Sequence, residues 1–379
     1  MEILGRTRQL NDLFSLEKKI KLNETQLDII PFTFKQTFNK NEIKSIQEKL
    51  PSAEFCKISD EAISENKIFN YCVFHPRNTK KTNQAILLLH GLNERSWKKY
   101  LSWAEYLSKK TGKSVILFPI AFHMNRGPQF WSDARALLPW VKKRKEIPGL
   151  KNSTFVNVAL SARISQEPLR FYISGRETVL DVWQLTKEIK SGLHPLFKED
   201  TSINLFGYSI GALLSNVLLL SNPDELFTES RLFMFCGGSI FSKMDANARD
   251  IIDSEANDCL RHFYTQKFIT DNFVPKAEND FIYQAFKALI RPDVLTDFRE
   301  EFYKKAIDRI KSITLKNDTV IPTEGVRAAL GTSSEKIVEE MDFSFSYSHQ
   351  WPFPLTGAKN EQEINEGFKA VFDKACAFI

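Results

Sequence analysis

Three polar residues in the second half of the chain have the side chains that nucleophilic catalysis requires. Ser209 lies in the run GYSIG at 207–211. Asp318 lies in the run NDTVIP, and His349 lies in SHQWP. A serine hydroxyl attacks a carbonyl carbon when a histidine accepts its proton, and a carboxylate can orient that histidine. The three residues therefore predict acyl transfer, with Ser209 as nucleophile, His349 as general base and Asp318 as orienting acid.

The run around Ser209 has the pattern GxSxG, in which the serine occupies a strained turn between a strand and a helix. INLF before it is strand-like, and ALLSNVLLL after it is helix-like. The turn brings the residues two before and two after the serine close together, so glycine is expected at 207 and 211. An ordinary strand-to-helix turn with a capping serine is the alternative, and the rest of the chain makes it less favourable.

Upstream of the serine, LLLHGLNERSW ends a buried strand at His90 and Gly91. A serine on a turn of this kind needs a loop at that position whose backbone N–H faces the serine hydroxyl. We expect the N–H groups of Leu92 and Ile210 to stabilise an oxyanion, and Ile210 also opens a helix whose N-terminus favours negative charge. His90 is expected to brace the loop and to have no catalytic role.

Asp318 and His349 each follow a strand-like run, KSITLKND for the first and IVEEMDFSFSY for the second. Loops at the carboxyl ends of strands are where open α/β sheets bind ligands. By itself, Asp318 could merely cap a helix that starts near Pro322. The order serine, aspartate, histidine along the chain favours the catalytic interpretation, because nucleophile elbows are followed by their partners in that order.

The elements that position these residues alternate between apolar strand-like runs and amphipathic helix-like runs, which predicts an α/β fold with a mostly parallel central sheet flanked by helices. Residues 1–52 are expected to be a helical extension packed on the core. Residues 53–238 and 310–379 form the catalytic domain, interrupted by an irregular insertion at 123–174. A helical segment at 239–309, inserted before the strand that leads to Asp318, is expected to be a cap or lid.

Composition excludes several other classes of protein. Of 379 residues, 42% are hydrophobic and 26% charged, as in a globular protein. Lys plus Arg exceed Asp plus Glu by only 52 to 47, and the basic run at 142–145 is short, so no nucleic-acid partner is predicted. No secretory signal or membrane span is evident, which makes a cytoplasmic location the expectation. The five cysteines have no CxxC pair and are interpreted as reduced: Cys56, Cys72, Cys236, Cys259 and Cys376.

These motifs resemble those of the α/β-hydrolase superfamily. The resemblance covers about residues 53–379 and is specific at HG (90, 91), GYSIG, NDTVIP and SHQWP. It implies a catalytic triad of Ser209, Asp318 and His349, with oxyanion donors at Leu92 and Ile210, and no metal or organic cofactor. The N-terminal residues and the 123–174 insertion are larger than a minimal member needs, and HG is not extended to HGGG.

The expected function is that of a capped, carboxylesterase-like serine hydrolase acting on an ester, thioester or amide of a small-molecule acyl substrate. A peptidase or acyltransferase of the same fold remains open, as does a non-catalytic ligand-binding protein. Residues 239–309 could also be a protein interface, and a homo-oligomer is possible without being indicated. The aromatic residues of this segment are expected mainly to pack it onto the core: Tyr264, Phe268, Phe273, Phe281, Tyr283 and Phe286.

Overall fold

The computed structural model describes residues 2–37, 47, 50–54, 57–270, 279–355 and 361–379. Its strands are β1 (Ile20–Leu22), β2 (Leu27–Lys35), β3 (Ile68–Pro76), β4 (Thr82–Leu89), β5 (Ser114–Leu117), β6 (Phe197–Tyr208), β7 (Leu232–Phe235), β8 (Ile310–Leu315) and β9 (Val338–Met341). Its helices are α1 (Ile3–Leu13), α2 (Ser64–Lys67), α3 (Tyr100–Thr111), α4 (Ala134–Lys145), α5 (Val158–Gln166), α6 (Leu169–Lys190), α7 (Ile210–Ser221), α8 (Ser254–His262), α9 (Phe281–Ala288), α10 (Thr296–Lys305), α11 (Thr323–Leu330), α12 (Ser334–Ile337) and α13 (Glu361–Phe378).

The strands form one sheet in the order β1-β2-β3-β5-β4-β6-β7-β8-β9. Every pair from β5 across to β9 is parallel, and β1, β2 and β3 are joined antiparallel at one edge. In the centre, Leu87 of β4 lies opposite Leu205 of β6. Parallel strands are covered on both faces, which explains why these segments are continuous apolar runs in the sequence.

Successive side chains of the central strands pack into two separate cores, one on each face of the sheet. Leu87 and Leu205 belong to the core that α6, α7 and the helices after β7 cover. Ile86 and Phe206 belong to the other core, which α1, α3 and α13 cover. The mostly parallel sheet flanked by helices is the predicted α/β-hydrolase fold class, and it is confirmed.

The segment between β7 and β8 is helical, as predicted, and contributes α8, α9 and α10. Of the six aromatic residues named from its sequence, four are buried in the core shared with α6: Tyr264, Phe268, Tyr283 and Phe286. Phe281 is 70% exposed, and Phe273 lies outside the described residues. These four side chains therefore pack the segment onto the core, in part through Tyr172 of α6.

The expectation of a helical N-terminal extension is wrong for residues 20–35. After α1, these residues form β1 and β2, and β2 pairs with β3 from Leu27 opposite Pro76 to Lys35 opposite Ile68. The alternation of β2 is hard to recognise because Pro31 interrupts it. In the structure, β1 pairs only with residues 27–29, so Pro31 lies where the other side of β2 has no partner strand among the described residues, a position that sheets accept for proline.

The interpretation of residues 123–174 as irregular is also wrong. They contain α4, α5 and the start of α6. The side chain of Asp133 caps α4 by accepting from the N–H of Arg135 at 2.8 Å. Pro139 lies inside α4, and the helix buries only a few side chains, including Leu137 and Val141, in a small separate cluster. Because the apolar stripe of α4 is so short, the sequence shows no clear helical period there.

Within the described ranges, no helix is long and apolar enough to cross a membrane. The cysteines that the structure describes are free thiols, as expected: Cys72, Cys236, Cys259 and Cys376. Cys56 lies outside the described residues.

Two buried histidines away from Ser209 predict loss of stability in acid. Burial lowers the pKa of His123 and of His194 to about 4, well below the value of about 6.5 for a free histidine. His194 accepts from the N–H of Leu196 at 3.2 Å and contacts the Tyr71 hydroxyl at 2.9 Å, so its neutral form is the one bonded. Between pH 6.5 and 4 the unfolded chain binds more protons, and stability therefore falls as pH falls.

We expect each histidine to contribute on the order of 1–3 kcal/mol to this loss. Urea unfolding of the protein and of His194→Gln at pH 7 and pH 4.5 measures it. The variant should lose less stability between the two pH values than the unchanged protein does. Equal losses would contradict the assignment, whatever the carboxylates contribute, since they are common to both proteins.

Candidate active site

Ser209 occupies the turn between β6 and α7, with φ 55° and ψ −121°. These dihedrals are unfavourable for a residue with a Cβ, and a serine kept in them indicates a strained turn that aims its side chain. The side chain is buried, and the residue is 5% exposed. The predicted strand, turn and helix around Ser209 are all present.

The close approach within this turn explains its glycines. A Cβ on Gly207 would lie 2.5 Å from the Cα of Ala212. A Cβ on Gly211 would overlap the carbonyl oxygen of Leu89, at the end of β4. A third glycine, Gly237 after β7, was not singled out in the sequence, and a Cβ there would lie 2.8 Å from the carbonyl oxygen of Ser209. The sequence feature that could have indicated this close approach is the pair Gly237-Gly238 directly after an apolar strand.

The structure brings Ser209, His349 and Asp318 into one hydrogen-bonded row. His349 Nε2 lies 2.7 Å from Ser209 Oγ, and His349 Nδ1 lies 2.7 Å from Asp318 Oδ2. A carboxylate only accepts, so Nδ1 carries the proton and Nε2 presents its lone pair to the serine hydroxyl. This arrangement can remove the proton from Ser209 as its oxygen attacks.

Asp318 is held by its own loop. Its Oδ1 accepts from the N–H of Val320 at 3.0 Å and from the N–H of Ile321 at 2.9 Å. The same carboxylate therefore makes both bonds that the sequence suggested as alternatives: one oxygen caps the turn after β8, and the other contacts His349. Its orientation is set by backbone groups that cannot rotate away.

Two residues that were not assigned a role from the sequence, Tyr208 and Lys99, position the loop of His349. The hydroxyl of Tyr208 donates to the carbonyl oxygen of His349, and the two rings are stacked with centroids 5.7 Å apart. Lys99 Nζ lies 4.5 Å from the centre of the Tyr208 ring and donates to the carbonyl of Gln350 at 2.8 Å. The position of Tyr208 within the GxSxG run could have indicated its place at the site. No pattern in the sequence indicates Lys99.

Leu92 and Ile210 line the same cavity as Ser209. Ile210 is the first residue of α7, so its N–H has no partner within the helix.

His90 lies behind the loop that contains Leu92, where its Nδ1 donates to the carbonyl of Gly91 at 2.8 Å and its Nε2 accepts from the N–H of Ile120 at 2.9 Å. Burial holds the pKa of His90 well below its usual value, which keeps the ring neutral. His90 braces the loop, as predicted.

The cavity over Ser209 is small and mostly apolar. Its volume is about 40 Å³. Since a cavity of roughly 10–15 Å³ holds one water, only a small group fits beside Ser209. The walls away from the serine loop come largely from the segment after β7 and from α6: Phe171, Phe241, Met244, Ala246, Ile251, Asn257, Leu260 and Arg261.

In the part of the chain that the structure describes, no three His, Cys, Asp or Glu side chains converge in a way that could hold a metal ion.

The chain belongs to a family described as "Family of unknown function (DUF6051)", whose model matches residues 1–379. No curated protein sequence matches the chain. Among solved structures, it is similar to a hyperthermophilic esterase from the archaeon Pyrobaculum calidifontis, at 11% identity and a TM-score of 0.47, over 99% of this chain and 88% of that one. It is also similar to a thermostable esterase from Pseudomonas putida ECU1011, at 9% identity and a TM-score of 0.46, over 99% of this chain and 94% of that one.

Proposed function

We propose that this protein is a serine hydrolase that cleaves an ester, thioester or amide through an acyl-enzyme intermediate, most simply a carboxylesterase-like enzyme. The observation that carries the proposal is the row from Asp318 through His349 to Ser209, with both hydrogen bonds at 2.7 Å. A serine, a histidine and a carboxylate in this geometry are the parts that acyl transfer needs.

In the proposed cycle, Ser209 Oγ attacks the carbonyl carbon of the substrate while His349 Nε2 takes the hydroxyl proton. The imidazolium that forms is stabilised by Asp318, whose orientation is fixed by two backbone N–H groups. The negative charge on the former carbonyl oxygen is stabilised by the N–H groups of Leu92 and Ile210. His349 then gives its proton to the leaving group, and the acyl group remains on the serine.

Release of the acyl group repeats the same steps with water. His349 takes a proton from the water as its oxygen attacks the acyl carbon, and returns that proton to Ser209 Oγ as the C–O bond breaks. The cycle uses no metal and no organic cofactor. The small volume of the cavity, about 40 Å³, favours a small-molecule substrate with a short acyl group.

Covalent labelling tests the proposal directly. A fluorophosphonate reacts only with an activated serine, so we expect it to modify Ser209, as identified by mass spectrometry of the labelled peptide. The folded protein should also hydrolyse a short p-nitrophenyl ester, at a rate that EDTA does not change. Labelling at another serine would move the nucleophile, and loss of turnover in EDTA that zinc restores would contradict the mechanism. A folded protein with neither labelling nor turnover would point to ligand binding without catalysis.

A further inference from the structure

The cavity over Ser209 carries one charged side chain among the described residues that line it. Arg261, on α8, reaches the cavity, whose other walls are mainly aliphatic and aromatic. No aspartate or glutamate lines it. Arg261 is partly exposed to solvent, and a guanidinium at the wall of an otherwise apolar cavity favours an anion that enters it.

The guanidinium of Arg261 is held in place by backbone carbonyls alone. It donates to the carbonyl of Met244 at 3.0 Å and to that of Ser242 at 3.4 Å. No ion pair to Arg261 is found among the residues that the structure describes. A guanidinium has five N–H donors, so two carbonyls fix its direction and leave further donors for a ligand.

A second donor lies one helical turn away. Asn257 precedes Arg261 by four residues on α8, on the same face of the helix, and also lines the cavity. Its Oδ1 accepts from the N–H of Ala246 at 3.1 Å, and this bond determines which end of the amide is which, because a backbone N–H requires an acceptor. The NH₂ group of Asn257 is thus left to donate, and it has no partner within the described ranges.

Arg144, which lies against the start of the same helix, differs from Arg261 because carboxylates pair with it. It is paired with Asp253, which caps α8, at 2.6 Å, and with Glu255 in its first turn at 2.5 Å. The chain therefore supplies carboxylates to an arginine at one end of α8 and none to the arginine at the other end, which lines the cavity.

We propose that Arg261, assisted by Asn257, binds a carboxylate at the far end of the acyl group, so that the substrates are esters or thioesters of short dicarboxylic acids in which one carboxyl is free. This inference rests on the proposed serine hydrolase function and narrows its substrate class. Charge-assisted hydrogen bonds from a guanidinium to a carboxylate are the strongest that such a site offers. Because Ser209 and Arg261 line the same small cavity, we expect a short acyl group on the serine to bring its far end within reach of the guanidinium.

The test compares two p-nitrophenyl esters of equal chain length, the glutarate monoester and the valerate, after subtraction of spontaneous hydrolysis. We expect the unchanged protein to have a kcat/KM about 10- to 100-fold higher for the glutarate monoester, the range of one or two charge-assisted hydrogen bonds. Arg261→Gln should lower that ratio by about the same factor. Arg261→Lys, which keeps the charge and loses the fork of donors, should restore part of it.

Arg249→Gln is the matched control, because Arg249 is an exposed arginine of the same segment that does not line the cavity. It should leave the ratio unchanged. No preference for the glutarate monoester in the unchanged protein, or a ratio that Arg261→Gln does not alter, would overturn the inference. Failure of the inference differs from failure of the proposed function, since in the first case Ser209 is still labelled and the valerate is still hydrolysed.

Discussion

Replacing Ser209 with alanine is expected to reduce kcat for ester hydrolysis by roughly a million-fold, the scale observed when a triad nucleophile is removed. The loss follows from the geometry, because Ser209 Oγ is the only atom of that residue within hydrogen-bond reach of His349 Nε2, at 2.7 Å. Steady-state hydrolysis of a p-nitrophenyl ester measures the loss of kcat, and fluorophosphonate labelling measures the loss of the nucleophile. The melting temperature should stay close to that of the unchanged protein, since the substitution removes one oxygen.

Ser215→Ala provides the control for this substitution. Ser215 is a buried serine on the same helix, and its hydroxyl donates to the carbonyl of Gly211 at 2.7 Å without contacting His349. We expect activity within a few-fold of normal. Turnover by Ser209→Ala at the normal rate would place the nucleophile elsewhere in the chain.

The second large effect is expected for Asp318→Asn, at about 10⁴-fold in kcat. Oδ1 of Asp318 accepts two backbone N–H groups, so the amide oxygen of asparagine must take that place. Its NH₂ then faces His349 Nδ1, and that ring nitrogen must accept a hydrogen bond. The proton moves to Nε2, which can no longer take the proton of Ser209.

Asp342→Asn is the comparison, because Asp342 is a carboxylate that follows the neighbouring strand, contacts the hydroxyl of Tyr347 at 2.8 Å and does not reach His349. This variant should retain activity. Thermal unfolding of both variants separates a damaged fold from a damaged site. Normal turnover by Asp318→Asn would mean that another group orients His349 and that Asp318 only caps its turn.

The turn that carries Ser209 could be predicted from sequence because its cause is local. The overlap that excludes a side chain at Gly207 involves Ala212, five residues away. Such short-range sterics leave a recognisable pattern in the residues themselves. The bond from His90 to the carbonyl of its neighbour Gly91 is equally local, whereas its bond to the N–H of Ile120 joins residues 30 positions apart.

The edge of the sheet and the 123–174 segment were predicted poorly because their causes are not local. β2 exists through its pairing with β3, about forty residues further on, and a proline in its middle weakens the pattern that would announce it. α4 buries a short stripe against a small cluster that includes Trp131 and Val158. Tertiary packing decides such elements, and intrinsic propensity is too weak to do so.

The amino-acid sequence alone determined the α/β architecture, the strained turn at Ser209 and the order of Asp318 and His349 after it. These features depend on the periods of strands and helices and on short-range steric contacts, which neighbouring residues decide. Only the tertiary structure decided that His349 lies within 2.7 Å of both partners, that Tyr208 and Lys99 hold its loop, and that Arg261 enters the cavity. Those contacts join residues that are 31 to 251 positions apart, or depend on the shape of a cavity between elements. Distances of that kind follow from how the layers pack, and no local pattern records them.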